Sequence, residues 1–227
     1  MRMRDKTVVL FRGLSKLGLA AAAKMLAEGA ARVVILDQSE RLTQDAVELI
    51  DHSEGKVELR LTDPLDPEAL KNSLRQIKEN DPAIHALVNC QDAVCCGGLM
   101  DTSEEDWQRM LDGNLTELFI VCHEIVPEMK AAGYGRIVNM TALAGRQDDG
   151  SGIAACAMKM GIMGFTRGLA MELRECGITV NSIAVGDLTE QGIMDAAVHA
   201  IIYLAGDEAS WTTGDCMDVN GGRFMQN

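Results

Sequence analysis

The sequence contains no apolar run approaching the eighteen or so residues that a membrane-spanning helix needs, so no membrane span is expected. It is short of cations as well: 21 Lys and Arg stand against 34 Asp and Glu, a formal net charge of -13. Nucleic acids and anionic membrane surfaces are held by clustered Lys and Arg, and this balance opposes both as partners. No linker-like stretch or internal repeat divides the 227 residues, and a composition 47% hydrophobic and 24% charged suits one globular domain over 1–227. The opening Met1-Arg2-Met3-Arg4-Asp5-Lys6 is charged and carries no secretion signal, which leads to the expectation of a soluble, cytoplasmic protein. Seven cysteines, an odd number without regular spacing, argue against a disulfide framework. Cys90, Cys95 and Cys96 form the one cluster, but adjacent thiols chelate poorly and His85 falls back along a strand, so no metal site is expected. Tyrosine is scarce: Tyr134 and Tyr203 are the only two.

What the chain does have is alternation. Short β-rich apolar runs at 8–11, 33–36, 57–61, 86–89, 136–140, 178–185 and 216–219 are separated by segments with apolar residues three and four apart, at 16–28, 40–52, 66–79, 103–131, 153–175 and 191–205. Continuously apolar strands need cover on both faces, and intervening helices provide it. The pattern predicts an α/β fold, a Rossmann-like doubly wound sheet of seven parallel strands flanked by helices.

Three stretches carry a resemblance: Gly135-Arg136-Ile137-Val138-Asn139-Met140, the segment Lys159-Met160-Gly161-Ile162-Met163-Gly164-Phe165-Thr166-Arg167, and the tail Trp211-Thr212-Thr213-Gly214-Asp215-Cys216-Met217-Asp218-Val219-Asn220-Gly221-Gly222. Together they resemble the short-chain dehydrogenase/reductase family over about residues 7–222. The resemblance implies four catalytic positions. The Asn falls on Asn114, expected to disturb its own helix and hold a water of a proton relay, and the Lys on Lys159, expected against a nicotinamide ribose. The Ser falls on Ala142 and the Tyr on Ala155, four residues before the lysine. Proton transfer to a carbonyl needs a group of tunable pKa, which a methyl does not supply. Thr141 neighbours the serine position, but strand alternation points it to the other side. Asn114 and Lys159 then read as vestigial or structural.

The cofactor positions implied by the family are degenerate as well. In Phe11-Arg12-Gly13-Leu14-Ser15-Lys16-Leu17-Gly18 the family's glycine pattern puts Arg12 and Lys16 at two glycines; Gly13 is present off-pattern and only Gly18 survives on it. Either the two cations replace backbone as phosphate ligands or the turn merely joins strand to helix. Asp37 at the end of the second strand would favour NAD over NADP, and Asp63 matches an adenine-side aspartate, with a plain helix cap by the following Asp66 as the other reading. Asn89 is kept, but Gln91-Asp92 follows where the family has small residues, adding bulk and negative charge beside a dianionic ligand. The family's mobile substrate lid is deleted near 186–192. No bound cofactor is expected; if any, it would be NAD.

Two long helices match the family's paired helices of a dimer interface, and the second is rich in Ala, Met and Gly, with Ala157 and Gly161 expected on an outward face. These features together suggest a non-catalytic subunit that pairs with an active paralogue in a hetero-oligomer, expected as a heterotetramer. Two alternatives stay open: an active NAD-dependent oxidoreductase working through Lys159, Asn114 and a water, and a ligand-sensing protein using the old cleft.

Overall fold

The computed structural model describes all residues except 40–41, 81–82, 92–96, 144–149, 151, 191 and 226–227. Seven strands appear: β1 Thr7–Phe11, β2 Arg32–Asp37, β3 Val57–Leu61, β4 Ala86–Asn89, β5 Gly135–Ala142, β6 Ile178–Val185 and β7 Cys216–Val219. Between them run α1 Lys16–Ala27, α2 Gln44–Asp51, α3 Pro67–Asn80, α4 Glu104–Leu111, α5 Glu117–Ala132, α6 Gly152–Leu173 and α7 Ile193–Ala205. The strands form one sheet in the order β3-β2-β1-β4-β5-β6-β7, every neighbouring pair parallel.

Alternation along each strand sends successive side chains to opposite layers. Val8 and Leu10 of β1, Val33 and Ile35 of β2 and Val88 of β4 join α1 and α7 in one core, while Val9, Phe11, Val34, Leu36 and Leu87 meet α3, α5 and α6 in the other. Register sets this division, since Val8 pairs with Val33 and Val9 with Leu87. Burying a Val, Leu or Ile side chain contributes roughly 1.5–3 kcal/mol, so a slip by one residue would expose a whole apolar row.

The helices start and stop on local chemistry. Ser15, Thr43 and Ser103 cap α1, α2 and α4, each side chain accepting from a backbone N–H three residues on. Helix α5 ends on Gly133 and the 3-10 turn after α6 ends on Gly177, both left-handed. A Cβ on Gly177 would lie 2.3 Å from the Gly133 carbonyl oxygen, so only glycine lets these two turns pack side by side at the foot of β5 and β6.

The segment 103–131, expected as one helix, is interrupted. Residues Asp112–Thr116 form a π-helical turn between α4 and α5. Asn114 explains it: its buried Nδ2 donates to the Met110 carbonyl at 2.9 Å, an oxygen that an α-helix would bond to the Asn114 backbone. After β6 ends at Val185, Asp187 accepts from the Thr189 backbone and hydroxyl, and α7 starts at Ile193. No helix among the described residues is long and apolar enough to cross a membrane.

Candidate active site and cofactor cleft

In a sheet of this order the connections leave in opposite directions from β1 and β4, and the crevice opens between the carboxyl ends of those two strands. The turn from β1 to α1 forms its floor. Arg12, at the position where the resemblance calls for a glycine, has φ +58°, a left-handed conformation that costs a residue with a Cβ roughly 1–2 kcal/mol. Its backbone N–H is held by the Leu36 carbonyl at 2.8 Å. Gly18 survives for a packing reason, because a Cβ there would stand 2.4 Å from the Gly13 carbonyl oxygen. Lys16 is exposed at the start of α1.

Arg12 does not reach into solvent as a free cation. Its guanidinium makes a two-pronged ion pair with Glu117, with Nε to Oε2 at 2.9 Å and Nη2 to Oε1 as the second contact. With the Gln38 amide turned so that its oxygen faces the guanidinium, that oxygen accepts from Nη1 at 2.8 Å and Nη2 at 3.3 Å. Glu117 opens α5 and is buried. Burial pushes its carboxyl above the usual carboxylate range, and Arg12 pulls the other way without cancelling the rise. Glu117 is a carboxylate leading the apolar run Leu118-Phe119-Ile120-Val121-Cys122, and Arg12 is one of two cations at the β1–α1 turn; nothing in the sequence pattern links two residues so far apart.

The other candidate cofactor residues are engaged by the protein itself. Asp37 accepts from the Leu14 N–H through Oδ2 and from the Ser39 N–H through Oδ1, both at 3.1 Å, so its carboxylate ties the turn to the end of β2. Asp63 accepts from the Leu65 backbone, and Asp66 caps α3 by accepting from Glu68 and Ala69. Asn89 points into the core: its Nδ2 donates to Asn139 Oδ1 at 2.7 Å, Asn139 donates to Thr166, and the Thr166 hydroxyl donates to the Ile162 carbonyl. That chain stitches β4 to β5 and α6. Cys90 is buried in the same region, its thiol pushed up to about 12 by burial. Asp92, Cys95 and Cys96 lie outside the described residues. Among the described residues no group of His, Cys, Asp or Glu is placed to hold a metal.

At the positions that the family resemblance marks, Lys159 and Asn114 are brought together. The buried Lys159 ammonium donates to Asn114 Oδ1 at 3.2 Å, and the Thr141 hydroxyl donates to the Lys159 backbone carbonyl at 3.0 Å. Ala155 is buried against Met110, Ala154 and Met158, and Ala142 lines a hollow of about 160 Å³ with Ser15, Lys16, Gln91 and Leu188. Neither tyrosine comes near. Tyr134 precedes β5 at the opposite end of the sheet, where its hydroxyl meets Lys6 and Asp207, and the Tyr203 hydroxyl lies 3.3 Å from Thr212 Oγ1.

Helix α6 shows two faces. Ala154, Ala155, Met158, Lys159, Ile162 and Met163 are buried, while Ile153, Ala157, Met160, Gly164, Gly168 and Met171 form an exposed row. Gly161, expected to face outward, does not: a Cβ there would meet Leu115 Cδ1 at 2.8 Å, because the π-helical turn presses against α6 at that point. Beside the exposed row, a groove of about 480 Å³ between α5 and α6 is lined by Phe119, Cys122, Val126, Phe165 and Leu169.

This parallel sheet, the crevice at its β1/β4 switch point and the Asn–Lys pair beneath it define a Rossmann-like oxidoreductase fold. Residues 6–197 match the family model described as short chain dehydrogenase, and the chain belongs to that family. It is similar to the 3-oxoacyl-(acyl-carrier-protein) reductase of Vibrio cholerae, 29% identical over 236 residues that cover 94% of each chain. It is also similar to the 3-alpha-(or 20-beta)-hydroxysteroid dehydrogenase of Mycobacterium bovis, 32% identical over 244 residues covering 97% of this chain and 90% of the relative. A crystal structure from Burkholderia xenovorans assigned to the short-chain dehydrogenases/reductases superposes with a TM-score of 0.88 at 26% identity, covering 97% of both chains.

Proposed function

We propose that this chain is a non-catalytic member of its family that assembles with an active paralogue and stabilises or tunes it. The observation that carries the reading is the pair of methyl groups. Ala142 and Ala155 fall at the positions the resemblance assigns to the family's two hydroxyls, and a methyl group has no proton to give a carbonyl substrate, while Lys159 donates to Asn114 and Asn114 to the Met110 carbonyl. The residues present also do not fit a dinucleotide. Asp37 is occupied by the turn's own N–H groups, and the Arg12 side chain is committed to Glu117 where backbone should close on a pyrophosphate. The exposed apolar row of α6, the groove beside Phe119 and the almost fully exposed Trp211 of the tail support assembly on two faces, as a heterotetramer would require.

In its combination of losses the chain resembles the inactive subunit of the heteromeric dehydrogenase of anaerobic toluene degradation, which oxidises 2-[hydroxy(phenyl)methyl]succinyl-CoA. A hydroxyacyl-CoA dehydrogenase is therefore the proposed kind of complex. The test is purification of the chain from its host, with mass-spectrometric identification of what accompanies it and calorimetry of the isolated chain with NAD. A second short-chain dehydrogenase in fixed ratio, with no nucleotide binding by the isolated chain, is expected; an isolated chain that binds NAD at micromolar concentration and turns over an alcohol would sink the reading.

That outcome would favour the second reading, an NAD-dependent oxidoreductase working through Lys159, Asn114 and a water. Two findings favour it: the Lys159–Asn114 contact is intact at 3.2 Å, and the similar proteins carry the names of reductases and dehydrogenases.

A further inference from the structure

Two hollows mark the crevice at the carboxyl ends of the strands. One is lined by Arg12, Asp37, Gln38, Leu61, Thr62 and Asp63, and the other by Ser15, Lys16, Gln91, Ala142 and Leu188. The Arg12 side chain borders the first and crosses to Glu117, the first residue of α5, just beyond the π-helical turn that carries Asn114. We infer that the Arg12–Glu117 pair is a built-in occupant of the crevice: the carboxylate takes the place of an anionic ligand, the guanidinium spans the gap, and the pair itself, more than the missing glycines, shuts an adenine dinucleotide out. The inference deepens the non-catalytic reading above and rests on it.

Four observations support the assignment. The pair is two-pronged and largely buried, with side-chain exposures of 20% for Arg12 and 3% for Glu117, so it is a fixed piece of the interior and not a surface contact that solvent exchanges. Arg12 is held at φ +58°, a conformation suited to glycine, and an unfavourable backbone persists only where surrounding contacts over-determine it. Gln38, at the end of β2, closes the guanidinium from a third side, so β1, β2 and α5 are all tied across the crevice. Finally, the hollow beside Arg12 is open and polar, and its volume of about 620 Å³ would accommodate the adenosine half of a ligand were the way past Arg12 clear.

The two residues are complementary, and removing one alone leaves a buried charge without its partner, which is strongly destabilising. The informative change is therefore the double variant Arg12→Gly/Glu117→Ala, which is neutral in net charge, relieves the left-handed strain and clears the span. ADP-ribose is the probe, because it reports on the adenosine and pyrophosphate halves without requiring nicotinamide chemistry. Calorimetry on the full chain should show at least a tenfold tighter dissociation constant for the double variant than for the parent protein. The reversed pair Arg12→Glu/Glu117→Arg, which restores an ion pair across the gap, should show no gain. Circular dichroism and thermal melting establish that each variant is folded; if the Ala version is not, Arg12→Gly/Glu117→Gln replaces it with the side-chain volume kept. A folded double variant that binds ADP-ribose no better than the parent overturns the inference while leaving the non-catalytic reading in place. Micromolar binding by the parent would overturn both.

Discussion

Ala155 is buried and Ala142 borders a hollow, and in the proposed non-catalytic reading the residues around them serve other tasks. Lys159 supports the π-helical turn through Asn114, and Asn114 in turn creates that turn by bonding to Met110. Substituting Lys159 or Asn114 by Ala should therefore leave the activity of the assembled complex, per active partner, within about twofold, against the roughly 10²–10⁴-fold loss usual for a general acid–base group. Steady-state rates with intact assembly by light scattering check this, and a hundredfold loss would restore the enzyme reading. The double replacement Ala142→Ser/Ala155→Tyr should leave the isolated chain without measurable dehydrogenase activity. Restored hydroxyls do not position a cofactor past Arg12, and positioning accounts for several kcal/mol of barrier. A progress curve with NADH and a ketone showing turnover above buffer would refute it. Both alanines were legible in the sequence, Ala155 four residues before Lys159 and Ala142 near the end of the fifth strand. The Arg12–Glu117 pair was not, because it joins residues that only the closed sheet brings together.

At the scale of one helix, α6 separates interior from surface by period alone. Ala157 lies on the exposed row between Ile153 and Met160, whereas Gly161 sits where the π-helical turn delivers Leu115. The two positions should respond in opposite ways. Ala157→Arg should change the folding stability of the isolated chain by no more than about 0.5 kcal/mol, as surface substitutions do. In the proposed complex it would place an unpaired charge at the contact and split the oligomer. Gly161→Val should cost the isolated chain about 1–3 kcal/mol by overpacking against Leu115, whether or not a partner is present. Urea titration for stability and light scattering of the co-expressed pair separate the two effects. Equal destabilisation of the isolated chain by both changes would show that α6 has no free face. Composition suggested a small-residue helix suited to close contact, but which glycine faces a neighbour depended on the irregular turn before α5.

Across the whole molecule, the end of the sheet opposite the crevice is tied together by a polar cluster. The Lys6 ammonium donates to the Tyr134 hydroxyl at 2.8 Å and to Asp207 at 2.9 Å, Tyr134 donates to Asp207 at 2.8 Å, and Arg136 lies 4.4 Å from the Tyr134 ring centre. Burial lowers the Lys6 pKa, but its bonds to Tyr134 and Asp207 outweigh that and hold it above the ordinary lysine value of 10.5. Burial likewise raises the Asp207 pKa, and the bonds from Lys6 and Tyr134 carry it below 3.8. Burial raises Tyr134 above 10.0. The raised lysine contributes stability that is present below pH 10.5 and lost as pH climbs through its folded value; the raised tyrosine acts the same way above pH 10.0. The depressed aspartate contributes stability that is present above pH 3.8 and lost as pH falls through its folded value. Melting temperature against pH should thus fall at both extremes, and Tyr134→Phe should reduce the alkaline fall. An alkaline limb of unchanged steepness in Tyr134→Phe would remove the cluster from the account.

The seven strands in their order and the parallel sheet were determined by the sequence alone, since each strand rests on local apolar periodicity, whereas the break of 103–131 into α4 and α5 came with the tertiary structure. The run 178–185 reads as a strand because it is apolar throughout, and β6 occupies those residues. What Arg12, Asp37 and Asn89 do was decided only by the tertiary structure. A charged or polar side chain bonds to whatever folding places within about 3 Å of it, and for these three that is Glu117, the N–H groups of Leu14 and Ser39, and Asn139. Apolar periodicity is a property of neighbours along the chain; the hydrogen bonds between Arg12 and Glu117 span 105 positions and exist only once the sheet has closed.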